Sequence, residues 1–217
     1  MSRTAHALVL LALAACARAG APDLPPGSAP PGGDACALGD GATRADTLTL
    51  APAAPVDPAR APNPASDAER LAFRQLYATL VQLDCTGAPR PGLAQAWRRE
   101  DERTWSFLLR ADATFWDGSP VLAEPVIAAW RSRPAAWEVI DRAGIASIAA
   151  AGAREIRVAF ATPEDRAPAL FAHPALAPVQ PPGTGTWAVG AGPWRPAAGG
   201  AASPVPGSPF LRFAPAA

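Results

Sequence analysis

The residues that could carry out catalysis are few and scattered along the chain. His173 is the only histidine after residue 15, so a Ser/His/Asp triad would depend on this single imidazole. The sequence contains no Gly-x-Ser-x-Gly elbow, no phosphate loop and no dinucleotide fingerprint. Carboxylates cluster at residues 100–102 and 164–165, but adjacent charges of this kind are typical of solvated loops. Two distant carboxylates could still meet in a fold, yet nothing in the sequence points to such a pair, and we predict a protein that is not an enzyme.

The cysteines indicate export rather than catalysis. Residues 1–15 carry Arg3 and then an apolar run of about nine residues, too short for a bilayer crossing and typical of a signal peptide. The run ends in Leu-Ala-Ala before Cys16, the pattern of a bacterial lipobox in which the cysteine is lipidated. An ordinary secretion signal followed by an incidental cysteine is the alternative.

Residues 16–43 are rich in Pro, Gly and Ala and predict a disordered tether. We therefore expect a periplasmic or cell-surface protein that is attached to the membrane by lipid. Cys36 and Cys85 are predicted to form a disulfide, which would contribute roughly 4 kcal/mol by closing a loop of about 50 residues. Two free thiols are the alternative. Because no Cys-x-x-Cys occurs and histidine is scarce, we expect neither a metal site nor a cofactor.

The net charge excludes a general nucleic-acid binder. The chain has 217 residues with 19 basic and 19 acidic side chains, so no overall positive field attracts phosphates. Aromatic residues and arginines alternate between Trp97 and Trp116, a mixture that can stack single-stranded bases. Export and the neutral net charge argue against that function for this chain.

The hydrophobic patterns predict a mixed α+β domain. Residues 66–84 have helical periodicity behind a Ser-x-x-Glu capping box, and residues 124–131 form a second helix that follows an Asp-Gly turn. The segment 138–151 is a further helix, or a helix broken at Gly144. Strands are predicted at 47–50, 105–109 and 155–160, and at 183–189, where a glycine turn precedes the strand. A short helix is predicted from residue 166 and runs into a Pro-rich stretch.

Several segments in this order resemble the peptide/nickel family of ABC-transporter substrate-binding proteins, the oligopeptide- and dipeptide-binding type. They are QLYATLVQLDCTGAPRPGLAQAW, RTWSFLLRADATFWDGSPVLAEPVIAAW, EIRVAF, FAHPALAPV and GTGTWAV. The family shows Tyr-x-x-Leu-Val, Leu-Ala-x-x-Trp, Thr-Trp-x-Phe-x-Leu-Arg, Asp-Gly-x-Pro and a later Gly-Thr-Gly-Pro-[YFW] return strand. Thr186 departs from the last motif, and Glu124-Pro125 replaces an acidic pair.

The resemblance implies an incomplete periplasmic-binding-protein fold. Residues 44–195 would hold a subsidiary domain and part of the first lobe, followed by a low-complexity tail at 196–217 with one short strand. The second lobe, which closes over the ligand in this family, is expected to be absent. The chain would then be a truncated or frameshifted gene product, a fragment of a longer protein, or a reduced paralogue with another function.

The resemblance also suggests ligand contacts between the first strand and the first helix. These candidates are Asn63, Ser66, Asp67 and Glu69, with Trp187 on the return strand. A helix cap is the alternative role of Ser66 and Glu69, and core packing is that of Trp187. The predicted function is capture of a peptide-like solute for a membrane permease. A structural or interaction lipoprotein that keeps the scaffold is the main alternative, and a periplasmic hydrolase is a distant one.

Overall fold

The computed structural model of the chain describes residues 48–183, 187–196 and 211–215. This part is a mixed α+β structure, as the sequence predicts. Its helices and strands are β1 Leu48–Leu50, α1 Asp67–Leu76, β2 Val81–Leu83, β3 Pro89–Pro91, β4 Ala94–Arg99, β5 Thr104–Leu109, α2 Ala123–Arg131, α3 Pro134–Arg142, β6 Ile145–Gly152, β7 Glu155–Phe160, α4 Ala167–Leu170, β8 Trp194–Pro196 and β9 Leu211–Pro215. Short 3-10 helices occupy Pro58–Arg60 and Pro174–Leu176.

The largest sheet is antiparallel, with the strand order β4-β5-β7-β6. Helices α2 and α3 lie on one of its faces, where alternate residues of β5 and β7 are buried against them. Trp130 of α2 is fully buried and donates its indole N–H to the carbonyl of Leu176 at 2.8 Å. The predicted strands at 105–109 and 155–160 and the helix at 124–131 are therefore confirmed, and their buried residues belong to the main core.

A second apolar cluster surrounds the C-terminal half of α1. Phe73 meets Tyr77 and Trp187 edge to face, with ring centroids 5.8 and 6.1 Å apart. Tyr77 donates its hydroxyl to the carbonyl of Ala188 at 3.2 Å, and its burial raises the pKa of the phenol above the usual value. The packing of α1 thus links the start of the described chain to residues more than a hundred positions later.

The N-terminus of α1 is capped as predicted, with one difference. The hydroxyl of Ser66 accepts the N–H of Glu69 at 3.2 Å. The Glu69 carboxylate does not return to the Ser66 N–H; it accepts the N–H of Ala65 at 2.7 Å and that of Asp57 at 3.3 Å. Glu69 is only 3% exposed. Its carboxylate therefore closes the loop that precedes the helix.

The helix predicted over residues 66–84 is too long. It ends at Leu76, and the next residues turn into β2 because their backbone groups find partners far along the chain. The carbonyl of Leu76 accepts the N–H of Gly192 at 3.0 Å, and the N–H of Val81 donates to Phe171 at 3.2 Å. The predicted apolar residues are nevertheless buried, because Leu80, directly before β2, and Val81, its first residue, pack in the main core.

The segment 138–151 is also corrected. The helix α3 begins earlier, at Pro134, and Gly144 ends it with a φ of 68°. The following residues form β6, which pairs antiparallel with β7 through Ile148 opposite Val158. Pairing with β7 overrides the helical propensity of this alanine-rich segment.

The return strand lies later than predicted. Near residues 183–189 the described chain makes only an isolated bridge between Gln180 and Val189, and the strand β8 follows at Trp194–Pro196. It belongs to a three-stranded sheet with the order β1-β9-β8. Residues 190–194, Gly-Ala-Gly-Pro-Trp, precede or begin it and fit the quoted Gly-Thr-Gly-Pro-[YFW] motif with one change.

Gly190 and Gly192 allow this segment to cross the end of α1 at very short range. A Cβ on Gly192 would lie 2.7 Å from the carbonyl oxygen of Gln75, and one on Gly190 would lie 2.8 Å from the Trp116 ring. Backbone atoms of Leu76 are closer still to both positions. Glycine is therefore required here by space rather than by backbone dihedral angles.

Replacing Gly192 by alanine should destabilise the fold. The added methyl group would meet backbone atoms that cannot rotate away, and overpacking of this kind typically costs about 1–3 kcal/mol. Urea unfolding followed by circular dichroism measures the change. Gly152→Ala is the matched control, because a Cβ at Gly152 meets nothing within 4 Å. Equal stability of the two variants would contradict the close contact.

Replacing Glu69 by glutamine should loosen the loop before α1. The amide would face two backbone donors with only one acceptor oxygen, and the loss of a hydrogen bond to a charged group costs about 1.5–3 kcal/mol. The same urea experiment applies, with Glu102→Gln as the control at an exposed glutamate. A change of less than about 0.5 kcal/mol, the range of an ordinary surface substitution, would show that Glu69 does not hold the loop.

Candidate ligand-binding cleft

A cavity of about 280 Å³ opens beside the first 3-10 helix. This volume is just below the range of small-molecule sites, roughly 300–1,000 Å³. Three separate parts of the chain and one residue near Tyr77 form its walls, and most of the wall residues are proline or alanine. The lining residues are Pro58, Ala59, Ala61, Ser132, Arg133, Val179, Gln180, Pro181, Pro182 and Ala188. We call this cavity the cleft.

The first wall is the 3-10 helix Pro58–Arg60, and buried Glu69 holds it in place. The side chain of Asp57 caps this helix by accepting the N–H of Ala59 at 3.0 Å, while its own N–H donates to Glu69. Arg60 places its Nε 3.4 Å from the Asp57 carboxylate and 3.7 Å from that of Glu69. The charges on this side of the cleft are therefore paired with one another.

The second wall is the junction between α2 and α3. Arg133 caps α3 without a side-chain bond to the helix, and its guanidinium runs back along α2. Its Nε–H donates to the carbonyl of Ala129 at 3.2 Å, and an Nη2–H donates to that of Ala177 at 2.8 Å. Burial lowers the pKa of Arg133 to about 10, so the group remains a cation at neutral pH.

The third wall is the segment 179–182, which is anchored to the rest of the chain. The backbone of Gln180 exchanges two hydrogen bonds with Val189, at 2.9 and 3.0 Å. Its side-chain amide donates to the hydroxyl of Ser119 at 3.0 Å. The turn after Phe115, where Asp117 accepts from Ser119 and Gly118 has a φ of 84°, thus supports the cleft from behind.

The predicted ligand contacts do not line the cleft. Asn63 is exposed, and Asp67 is exposed and lies 3.5 Å from the Nε of Arg70. Ser66 and Glu69 cap and brace the loop, and Trp187, 8% exposed, packs in the second apolar cluster. These positions agree with the alternative roles of capping and packing, and a contact of any of the five with ligand stays a prediction.

Arg133 is the residue that the sequence patterns did not single out. Every basic residue of the chain is arginine, so no single guanidinium is distinctive by type. The available signal was its place between two helices and directly before Pro134, which starts α3.

The carboxylates of Glu100 and Asp101 belong to the hairpin between β4 and β5. The Glu100 carboxylate accepts the hydroxyl of Ser106 at 2.6 Å and pairs with Arg98 and Arg157. The hydrogen bond from Ser106, followed by those from the two arginines, lowers the pKa of Glu100 to about 2. Asp101 accepts two backbone N–H groups of the same turn. All these groups are committed to the connection between β4 and β5.

Of the three cysteines, only Cys85 lies among the residues that the structure describes. Cys85 is disulfide-bonded. Cys16 and Cys36 both lie outside the described residues, so lipidation at Cys16 and the pairing of Cys36 with Cys85 stay predictions. Among residues 48–183, 187–196 and 211–215, no group of three or more His, Cys, Asp or Glu side chains could hold a metal ion. No helix in that same part is long and apolar enough to cross a bilayer.

Comparisons with known proteins place this architecture. The family model for bacterial extracellular solute-binding proteins, family 5, middle part, matches residues 88–199, more than half of the chain. The periplasmic oligopeptide-binding protein OppA of Escherichia coli K12 is 40% identical over 58 residues, which is 27% of this chain and 11% of that protein. The match thus spans about a tenth of the length of this relative.

Two solved structures share the fold. The Escherichia coli murein tripeptide binding protein MppA superposes with a TM-score of 0.53 at 26% identity, over 58% of this chain and 30% of that chain. NikA from Brucella suis, in complex with Fe(III)-EDTA, gives a TM-score of 0.52 at 26% identity, over 65% of this chain and 31% of that chain. These relatives are binding proteins, and the matched part is a fraction of the periplasmic-binding-protein fold. By its family match and its fold, the chain belongs to the bacterial extracellular solute-binding proteins of family 5.

Proposed function

We propose that this chain is a lipid-anchored, extracytoplasmic solute-binding protein that captures peptide-like solutes and passes them to the permease of an ABC importer. The observation that carries the proposal is the family match over residues 88–199 together with the corresponding fold. Oligopeptide- and murein-tripeptide-binding proteins are among the relatives, which favours a peptide-like ligand. The mechanism is reversible capture without covalent chemistry.

The geometry of the described part agrees with binding rather than catalysis. The Glu100 carboxylate is tied into ion pairs with Arg98 and Arg157, and the small cleft has mostly apolar walls with one cation. Binding sites of this kind gain affinity when a second wall closes over the ligand and removes water. We therefore expect weak binding, with a dissociation constant near millimolar, if the chain binds alone.

Isothermal calorimetry on the mature chain with a mixed pool of di- to pentapeptides tests the capture of peptides. A saturable heat at millimolar ligand is expected, corresponding to roughly 4 kcal/mol of binding free energy. A mixture of neutral disaccharides at the same concentration is the control and should give only heat of dilution. The absence of heat with peptides at millimolar concentration would remove the receptor function and favour a scaffold lipoprotein instead.

The lipid anchor is proposed from the sequence around Cys16 and is tested by processing. Inhibition of the lipoprotein signal peptidase in an expressing bacterium should cause the uncleaved precursor to accumulate, and Cys16→Ala should do the same without inhibitor. Mass spectrometry of the membrane fraction measures the precursor and the acylated product. Cys36→Ser is the control, since it leaves the cleavage sequence intact. Normal maturation of Cys16→Ala would exclude lipidation at this position.

A further inference from the structure

Arg133 is the one ionisable residue among those that line the cleft. Two of the five guanidinium N–H groups are used, one on the carbonyl of Ala129 and one on that of Ala177. No carboxylate of the described residues lies within ion-pair distance of it, unlike Arg60 on the opposite wall, which pairs with Asp57 and Glu69. Three N–H donors of a half-buried cation thus lack an acceptor within the described part of the chain.

This arrangement has an energetic cost that a ligand can offset. Removing a cation from water disfavours its charged form, and desolvation is the cause of the lowered pKa of Arg133. Two neutral carbonyls compensate for only part of this loss. A carboxylate would supply both a counter-charge and two acceptor oxygens in the planar geometry that guanidinium donors match.

The guanidinium is also held in one orientation before any ligand arrives. Its two carbonyl partners come from different elements, Ala129 from α2 and Ala177 from the segment after the second 3-10 helix. Fixing the plane of the group in advance reduces the entropy that binding would remove. The dipole of α3 adds positive potential at its N-terminus, in the same place, and no acidic residue in the first turn offsets it.

The remaining walls determine what can carry the carboxylate. Pro58, Ala59, Ala61, Val179 and two further prolines present apolar surface, and the side-chain amide of Gln180 is already bonded to Ser119. The volume of about 280 Å³ admits one or two small residues rather than a long chain. An apolar group that ends in a carboxylate fits these walls, whereas a polyanion would leave charges against proline and alanine.

We propose that the cleft binds the terminal carboxylate of a small apolar peptide or N-acyl amino acid, with Arg133 as its anchor. The peptide nature of the carrier rests on the proposed function, while the recognition of a carboxylate rests on the cleft alone. Glu69 acts on this site as a positioning residue, because it holds the 3-10 helix that forms the wall opposite Arg133.

The carboxylate site is tested first with sodium acetate. The Nε–Hε resonance of Arg133 in the full mature chain, assigned by ¹⁵N NMR, should shift with saturation. The resonance of Arg154, an exposed arginine, should not saturate. Sodium chloride at equal ionic strength corrects for screening. An Arg133 resonance that does not shift, or that drifts linearly as that of Arg154 does, overturns the proposal. The experiment uses the unsubstituted chain, so its result does not depend on the folding of a variant.

The carrier is tested with N-acetyl-alanyl-alanine and its C-terminal amide. The acid should bind at least tenfold more tightly than the amide, and Arg133→Gln should abolish this difference. Arg133→Lys, which keeps the charge but loses the planar fork, should retain part of it, and Arg154→Gln should retain all of it. Equal affinity of acid and amide for the natural chain overturns the proposal.

The two arms separate this inference from the proposed function. Saturation by acetate together with no binding of any peptide would support the carboxylate site and remove the peptide receptor. Binding of the peptide pool without a response of Arg133 to acetate would support the receptor and overturn the anchor.

Discussion

The described fold depends on the close crossing between the end of α1 and the segment at Gly190 and Gly192. At this crossing the carbonyl of Leu76 leaves the helix and accepts the N–H of Gly192. The carbonyl of Gly190 in turn accepts the N–H of Trp116, so one short segment binds two distant parts of the chain. Because side chains are excluded there, the contact holds the backbones themselves, and backbone contacts tolerate little displacement.

The crossing also determines where the cleft can exist. It places Ala188 and the Gln180–Val189 bridge beside the loop that precedes α1, and Tyr77 secures this position through its bond to Ala188. From the other side, buried Glu69 ties the same loop to the helix. The cleft is therefore a consequence of how α1 is attached to the rest of the chain at both of its ends.

Local patterns predicted most of the elements because their periodicity and their burial agree. Alternation at 105–109 and 155–160 and the Ser66 cap with the apolar face of α1 correspond to elements that the structure contains. The errors occur where a distant partner decides the outcome. The helix stops at Leu76, whose carbonyl accepts the N–H of Gly192. Residues 145–152 form a strand because they pair with β7. A single sequence carries no local signal of such partners.

The position of the return strand illustrates a different limit. Two glycine-rich segments, at 183–187 and 190–194, fit the same motif in the sequence, and in the structure Gly190 and Gly192 of the second pass the end of α1 at short range. Close packing against α1, not composition, distinguishes the second segment from the first. In the same way, its position in the fold distinguishes Arg133 from the other arginines. In a chain whose basic residues are all arginine, ion pairs with neighbouring carboxylates account for many guanidinium groups and make them structurally ordinary. The cation that lines an apolar cleft and bonds only to carbonyls is set apart by its surroundings alone, and its surroundings arise from three segments that meet only in the folded chain.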